Sequence, residues 1–146
     1  MAKKTAKIFT ADRYMPTKFH SAEDKAKFAN HFVRFVESGF KPTLFPKWFY
    51  NRLSNTFSHI AHFNRGGFYA TWFDSLDSKI KFLVRLRDYP GYGSPEFTYC
   101  DVERDISKWI GESGLIEILR KEQLVQQEAS ERATLARLKQ KYPEAT

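Results

Sequence analysis

The chain predicts an α+β fold: two N-terminal helices, a small antiparallel three-stranded sheet, and two C-terminal helices of which the last is long. Three observations carry this reading. Apolar residues between 22 and 38 recur at helical spacing, residues 79–87 alternate apolar with mostly basic side chains, and residues from 115 onward are rich in Leu, Ala, Glu, Gln, Lys and Arg. A chain of 146 residues can bury roughly 68–70% of its unfolded surface in one core. Its 14 Phe, 7 Tyr and 3 Trp exclude intrinsic disorder, collagen-like sequence and low-complexity linker as descriptions of the whole.

Residues 1–20 hold Lys3, Lys4, Lys7, Arg13 and Lys18 and read as a mobile basic arm with one short strand. Ser21 is an N-cap followed by Glu23 and Asp24, Gly39 is a natural helix stop, and Phe28, Ala29, Phe32, Val33, Phe35 and Val36 form the stripe between them. After the connector Lys41-Pro42-Thr43, Pro46 opens a second helix running to about His62. Phe49, Leu53, Phe57, Ile60 and Ala61 make its buried side, while Lys47, Asn51 and Arg52 face elsewhere. Asn64-Arg65-Gly66-Gly67 should then stop it, because paired glycines permit positive φ.

The sheet is expected from residues 68–73, 79–87 and 97–100, with Ser75-Leu76-Asp77-Ser78 as a turn. In the middle strand Ile80, Phe82, Val84 and Leu86 point to the core and Lys79, Lys81, Leu83, Arg85 and Arg87 point out. Residues 88–95, with two Pro, two Gly, Tyr89 and Tyr92, are the clearest loop. Asp101 reads as the N-cap of a helix through about Ile110, residues 111–114 interrupt it, and a long helix follows to about Tyr142. Its apolar stripe fades after Val125, which suggests a projecting helix that a partner or a second copy could complete as a homodimer. The expected division is a basic arm over 1–20, one α+β domain over 21–125 and a helical tail over 126–146. The expected core is Phe28, Phe32, Phe35, Phe49, Leu53, Phe57, Trp72, Phe82, Val84, Leu86 and Trp109.

The net charge of +7 is unevenly placed. Residues 1–65 carry 12 Lys/Arg against 4 Asp/Glu, residues 66–105 carry 5 against 7, and residues 106–146 carry 7 against 6. A basic N-terminal half favours an acidic partner and argues against mimicry of DNA by a carpet of carboxylates. No apolar run approaches the ~20 residues of a membrane span, and no apolar signal core follows the basic start, so a soluble cytoplasmic protein without a membrane partner is expected. The single cysteine, Cys100, is compatible with a reducing compartment.

Catalytic chemistry finds little to stand on. His59 and His62 have metal-ligand spacing, but a histidine on a half-buried turn is more often a hydrogen-bonding residue, so no metal and no cofactor is assigned. Asp74, Asp77, Asp101, Glu103 and Asp105 could cluster around Mg²⁺ in a nuclease, yet carboxylates at turns and helix starts have structural reasons to be there. Cys100 has no activating neighbour in sequence. The remaining signal is non-catalytic binding: Lys79, Lys81, Arg85 and Arg87, with Arg65 and the loop tyrosines Tyr89, Tyr92 and Tyr99, offer cations and stacking surfaces that nucleic acid could use. The same charges would equally guard an exposed strand edge against aggregation, and Tyr and Arg also serve protein interfaces.

The stretch His59-Ile60-Ala61-His62-Phe63-Asn64-Arg65-Gly66-Gly67-Phe68-Tyr69-Ala70-Thr71-Trp72-Phe73, followed by Tyr99-Cys100-Asp101-Val102-Glu103-Arg104, resembles uncharacterised small accessory proteins borne on bacterial plasmids and phages. The resemblance implies a mobile-element setting, in which small proteins lacking enzymatic motifs neutralise host defences of the CRISPR-effector or restriction type. The expected function is therefore inhibition of a bacterial defence nucleoprotein by direct binding. A nucleic-acid-binding regulator is the alternative, with a metal-dependent nuclease third.

Overall fold

The computed structural model describes residues 9–56, 65–89, 91 and 93–145 and contains helices throughout, with no strand among the described residues. Six α-helices follow in order: α1 Ala22–Glu37, α2 Lys47–Thr56, α3 Arg65–Phe73, α4 Leu76–Arg87, α5 Cys100–Ser113 and α6 Leu115–Lys141. The expected three-stranded sheet is thus absent among the described residues, and the α+β reading is corrected to an all-helical fold.

Helix α1 begins as its sequence requires. Ser21 Oγ accepts from Asp24 N–H and Asp24 accepts from Ser21 N–H, both at 3.1 Å, closing a capping box. The helix ends at Ser38, and Gly39 takes a left-handed φ of +86°. Phe40 follows with φ +65°, a conformation unfavourable for a side chain carrying Cβ. Its ring is buried against Phe35, Phe73 and Phe82, and that packing opposes the backbone strain.

The segments expected as strands fold as α3 and α4 because their apolar residues satisfy a helical period better than a two-fold one. In α3, Phe68 and Trp72 are four apart, as are Tyr69 and Phe73, and all four pack into the core while Ala70 and Thr71 are exposed. Gly66 and Gly67, expected to stop a helix, lie in its first turn. In α4, Ile80, Phe82, Leu83 and Leu86 are buried. Leu83 is fully buried although alternation puts it among the outward cations, and Val84 is only half-buried although alternation puts it in the core. The supposed turn at Ser75–Ser78 is a second capping box, with Ser75 Oγ accepting from Ser78 N–H at 3.1 Å. Residues 97–100 form no strand either; they lead from a turn into α5.

One aromatic core fills the space between α1, α2, α3, α4 and α5. Ring centroids of Phe73 and Phe82 are 4.9 Å apart and nearly perpendicular, and Phe45 and Phe68 extend the cluster toward α2. Phe28, Phe32, Phe35, Phe49, Leu53, Phe82 and Leu86 are buried as expected, Trp72, Val84 and Trp109 are half-buried, and Phe57 lies outside the described residues. So does the expected stretch of the second helix beyond residue 56. Helix α5 extends past Gly111 to Ser113, and Gly114 at φ +71° breaks the chain direction before α6.

A strap over residues 9–16 is tied to α1 and α5. Phe9 and Asn30 exchange two hydrogen bonds, Arg13 makes a bidentate pair with Asp105 at 2.8 Å, and Tyr14 donates to the same carboxylate at 2.7 Å. Burial is the largest single influence on the Asp105 carboxyl and raises it, but the hydrogen bonds from Arg13 and Tyr14 and the nearby positive charge together outweigh it and hold the group below its ordinary range. Beneath the strap, the fully buried Lys25 ammonium donates to the Pro95 carbonyl at 2.9 Å and to both oxygens of Asp101 at 3.0 and 3.2 Å. Asp101, expected as an N-cap, instead sits in the first turn of α5, and Tyr99 occupies the N-cap position without a side-chain capping bond.

Removing one partner of a buried ion pair typically costs about 3–5 kcal/mol, so Lys25→Met should lower the urea midpoint sharply. Lys81→Met, which breaks an exposed pair with Asp77, should leave it near the parent's; similar midpoints for both variants would refute the structural role of Lys25. At the other end, α6 is anchored by Ile116 with Leu115 and Leu119, and every residue described after Gln123 is exposed. Truncation after Val125 should leave a cooperatively melting domain with altered oligomeric state or partner affinity. An unfolded truncation product would place the tail in the core.

Candidate binding face on helices α1 and α2

The cations expected to share one strand face are spread around α4. At about 100° per residue, Lys79 and Lys81 stand about 200° apart, whereas Lys81 and Arg85 lie on one side. Lys79 is half-buried with its ammonium 5.5 Å from the Phe40 ring centroid. Lys81 pairs with Asp77 at 3.0 Å, Arg87 pairs with Asp88 at 3.0 Å, and Arg85 is exposed. Tyr89 packs half-buried against the core; the Arg65 side chain and all of Tyr92, like His59 and His62, lie outside the described residues. The chemistry-bearing carboxylates are also dispersed: Asp101 serves Lys25, Asp105 serves Arg13 and Tyr14, and Asp77 serves Lys81. No group of three or more metal-ligating side chains occurs among the described residues, and Cys100 is fully buried.

A different surface gathers cations and rings. On α1, Lys27, His31 and Arg34 recur at i, i+4 and i+7, which places them along one side of the helix. The opposing α2 contributes Lys47, Trp48, Asn51 and Arg52. Lys27 Nζ stands 4.7 Å from the Trp48 ring centroid, and the His31 ring meets Trp48 edge-on at 4.9 Å. Among the described residues no carboxylate lies within 4.0 Å of the cationic groups of Lys27, Arg34, Lys47 or Arg52, whereas Arg13, Lys25, Lys81 and Arg87 are all paired.

Between the start of α1, α2 and Tyr99 lies a cavity of about 350 Å³. Arg52 is its central group: the guanidinium carbon lies 4.5 Å from the Tyr99 ring centroid, and Nη2 donates to His20 Nε2 at 2.9 Å. Since Arg52 can only donate, His20 accepts through Nε2 and its neutral form carries the proton on Nδ1. His20 in turn meets Tyr99 edge-on at 5.5 Å. Asp24, the capping carboxylate of α1, lines the same cavity, as do Trp48 and Asn51. Tyr99 is the loop residue of the sequence reading that this site absorbs; Trp48, His20 and Asp24 were missed, and the Lys27/His31/Arg34 spacing was the signal that could have pointed to this face.

Both histidines sit below their ordinary pKa of 6.5. Burial is the main cause for each; Arg52 and Lys25 add to it at His20 against Asp24, and Arg34 and Lys27 add to it at His31. At His31 a hydrogen bond from Nε2 to the Leu44 carbonyl, 2.8 Å, works the other way. No family model, no curated protein and no solved structure matches the chain. None of the described helices is long and apolar enough to cross a membrane.

A histidine whose pKa is depressed in the folded state contributes stability above pH 6.5 that is lost as pH falls through that value toward the folded pKa, because the unfolded chain protonates first. Arg34→Gln should therefore raise the His31 pKa toward 6.5 in an NMR titration of its ring protons, and soften the loss of stability on acidification. A His31 pKa unchanged by the substitution would mean that Arg34 has no part in lowering it.

Proposed function

We propose that the chain is a non-catalytic binding protein of a mobile genetic element that inhibits a bacterial defence nucleoprotein, such as a CRISPR effector, by docking its α1–α2 face on the complex's nucleic acid. The observation that carries this reading is the meeting on that face of Lys27, Arg34, Lys47 and Arg52, none in an ion pair within 4.0 Å among the described residues, with the Trp48 and Tyr99 rings. Exposed cations beside an aromatic platform are what phosphate and base contacts require. The mobile-element setting comes from the sequence resemblance alone. No catalytic step is assigned, because the candidate carboxylates are occupied in holding strap and helices. A nucleic-acid regulator would use the same face; what separates the two is whether bare nucleic acid suffices as the partner or the assembled nucleoprotein is needed.

The test compares two double charge reversals that change net charge equally, Lys27→Glu with Arg34→Glu on the face and Lys81→Glu with Arg85→Glu on α4. The face variant should weaken binding to a purified nucleoprotein and reduce the steepness of its salt dependence, by about 0.7–0.9 in log–log slope per lost phosphate contact. The α4 variant should bind nearly as the parent does. Equal losses would reduce the effect to overall charge.

A further inference from the structure

We propose that the cavity between α1, α2 and Tyr99 receives one unstacked base of a single-stranded nucleic acid, with its phosphate held by Lys27 and Arg52. This rests on the proposed use of the α1–α2 face and goes beyond it, since a basic face alone needs only phosphates.

Three features of the cavity favour a base over a bare anion. Its volume of about 350 Å³ falls at the lower end of the about 300–1,000 Å³ typical of ligand pockets, which suits a single nucleotide and not a duplex whose bases are stacked away. Trp48 keeps 39% of its surface exposed at the cavity wall, a flat apolar area that a base can cover by stacking. The third feature is Asp24. A carboxylate in the lining repels a lone phosphate but accepts N–H from a base edge, and Asn51 beside it can donate or accept.

The two cations are already arranged around rings, so the site needs little reorganisation. Arg52 lies over Tyr99 with one nitrogen turned to His20, which leaves its other N–H groups for phosphate oxygens in bidentate geometry. Lys27 over Trp48 is a compact charge that can reach a phosphate attached to a base lying against the same indole. Tyr99 is held in place, because it is buried against Phe28 and stands two residues before Asp101 of the Lys25–Asp101 pair.

Fluorescence anisotropy with the full chain tests this on three labelled probes of equal length: an oligothymidine, an abasic phosphodiester chain and a duplex. The oligothymidine should bind about tenfold or more tightly than the abasic chain at matched salt, as base–aromatic stacking of about 1–3 kcal/mol implies, and more tightly than the duplex. Trp48→Leu should bring the oligothymidine down to the level of the abasic chain bound by the same variant, and should weaken abasic binding less than the Lys27/Arg34 reversal does. Asp24→Asn should alter preference among homopolymers of different base. In the parent protein, base-bearing but not abasic probes should quench the emission of Trp48, more exposed than the half-buried Trp72 and Trp109, which gives a readout independent of any variant. Equal binding and equal quenching by the abasic chain would overturn the base site. If the Lys27/Arg34 reversal weakens every probe while Trp48→Leu weakens none, the face stands and the base site falls.

Discussion

The Lys25 ammonium has no exposed surface, and its three acceptors come from two places far along the chain: the Pro95 carbonyl in the loop before α5 and both oxygens of Asp101 in the first turn of α5. A buried cation is tolerated only when it is paired and hydrogen-bonded, so α1, the loop and α5 can close on one another in only one way. That closure fixes Tyr99, two residues before Asp101, against Phe28 and under Arg52 and His20. The same Asp101 also accepts from Met15 N–H at 3.2 Å, which seats the N-terminal strap. The cavity wall, the strap and the entry to α5 thus depend on one buried charge.

The second constraint is the volume of the aromatic side chains. Phe35, Phe40, Phe45, Phe73 and Phe82 meet at centroid distances of about 5 to 6 Å, in edge-on or tilted pairs except for the stacked Phe40 and Phe73, and helices crossing one another can interleave such rings at spacings of three and four. The left-handed Phe40 is the clearest consequence. Its backbone conformation is unfavourable, yet its ring lies between α1, α3 and α4, and its carbonyl accepts from the Tyr69 hydroxyl.

Helices whose caps and stripes agree were legible from the sequence: Ser21, Asp24 and Gly39 bracket α1, and Leu115 opens α6. The segments 68–73 and 79–87 were not, because short aromatic and β-branched runs fit either period and strand propensity reflects packing context more than backbone preference. Leu83 was the residue that should have decided it: in a strand it stands alone among cations, in a helix it joins Ile80 and Leu86. The shared strand face of Lys79, Lys81, Arg85 and Arg87 goes with the sheet, since on helix α4 these residues stand on different sides. The cavity was beyond reach of sequence spacing altogether. His20, Arg52 and Tyr99 are separated by 32 and 47 positions, and the Lys25 pair that unites them gives no local pattern.

Folding also sharpens the charge asymmetry into a surface property. Arg13 and Lys25, two of the N-terminal cations, are consumed by Asp105 and Asp101 of α5, so the strap and the closure of the fold draw on the basic half without exposing it. Farther along the chain some cations are answered locally, Lys81 by Asp77, Arg87 by Asp88, Lys108 by Glu112 and Arg132 by Glu128, while others such as Lys79, Arg85 and Arg104 have no carboxylate within 4.0 Å among the described residues. Pairs this close, three of them four residues apart on a helix and one between neighbours, cancel much of each other's field beyond a Debye length of about 8 Å at physiological salt. Lys27, Arg34, Lys47 and Arg52 have no such neighbour among the described residues, and two of the four lie against rings whose π faces orient them without neutralising them. What sets the α1–α2 face apart is therefore not that its cations are unanswered, which others on α4, α5 and α6 also are, but that two of them meet two rings around one cavity.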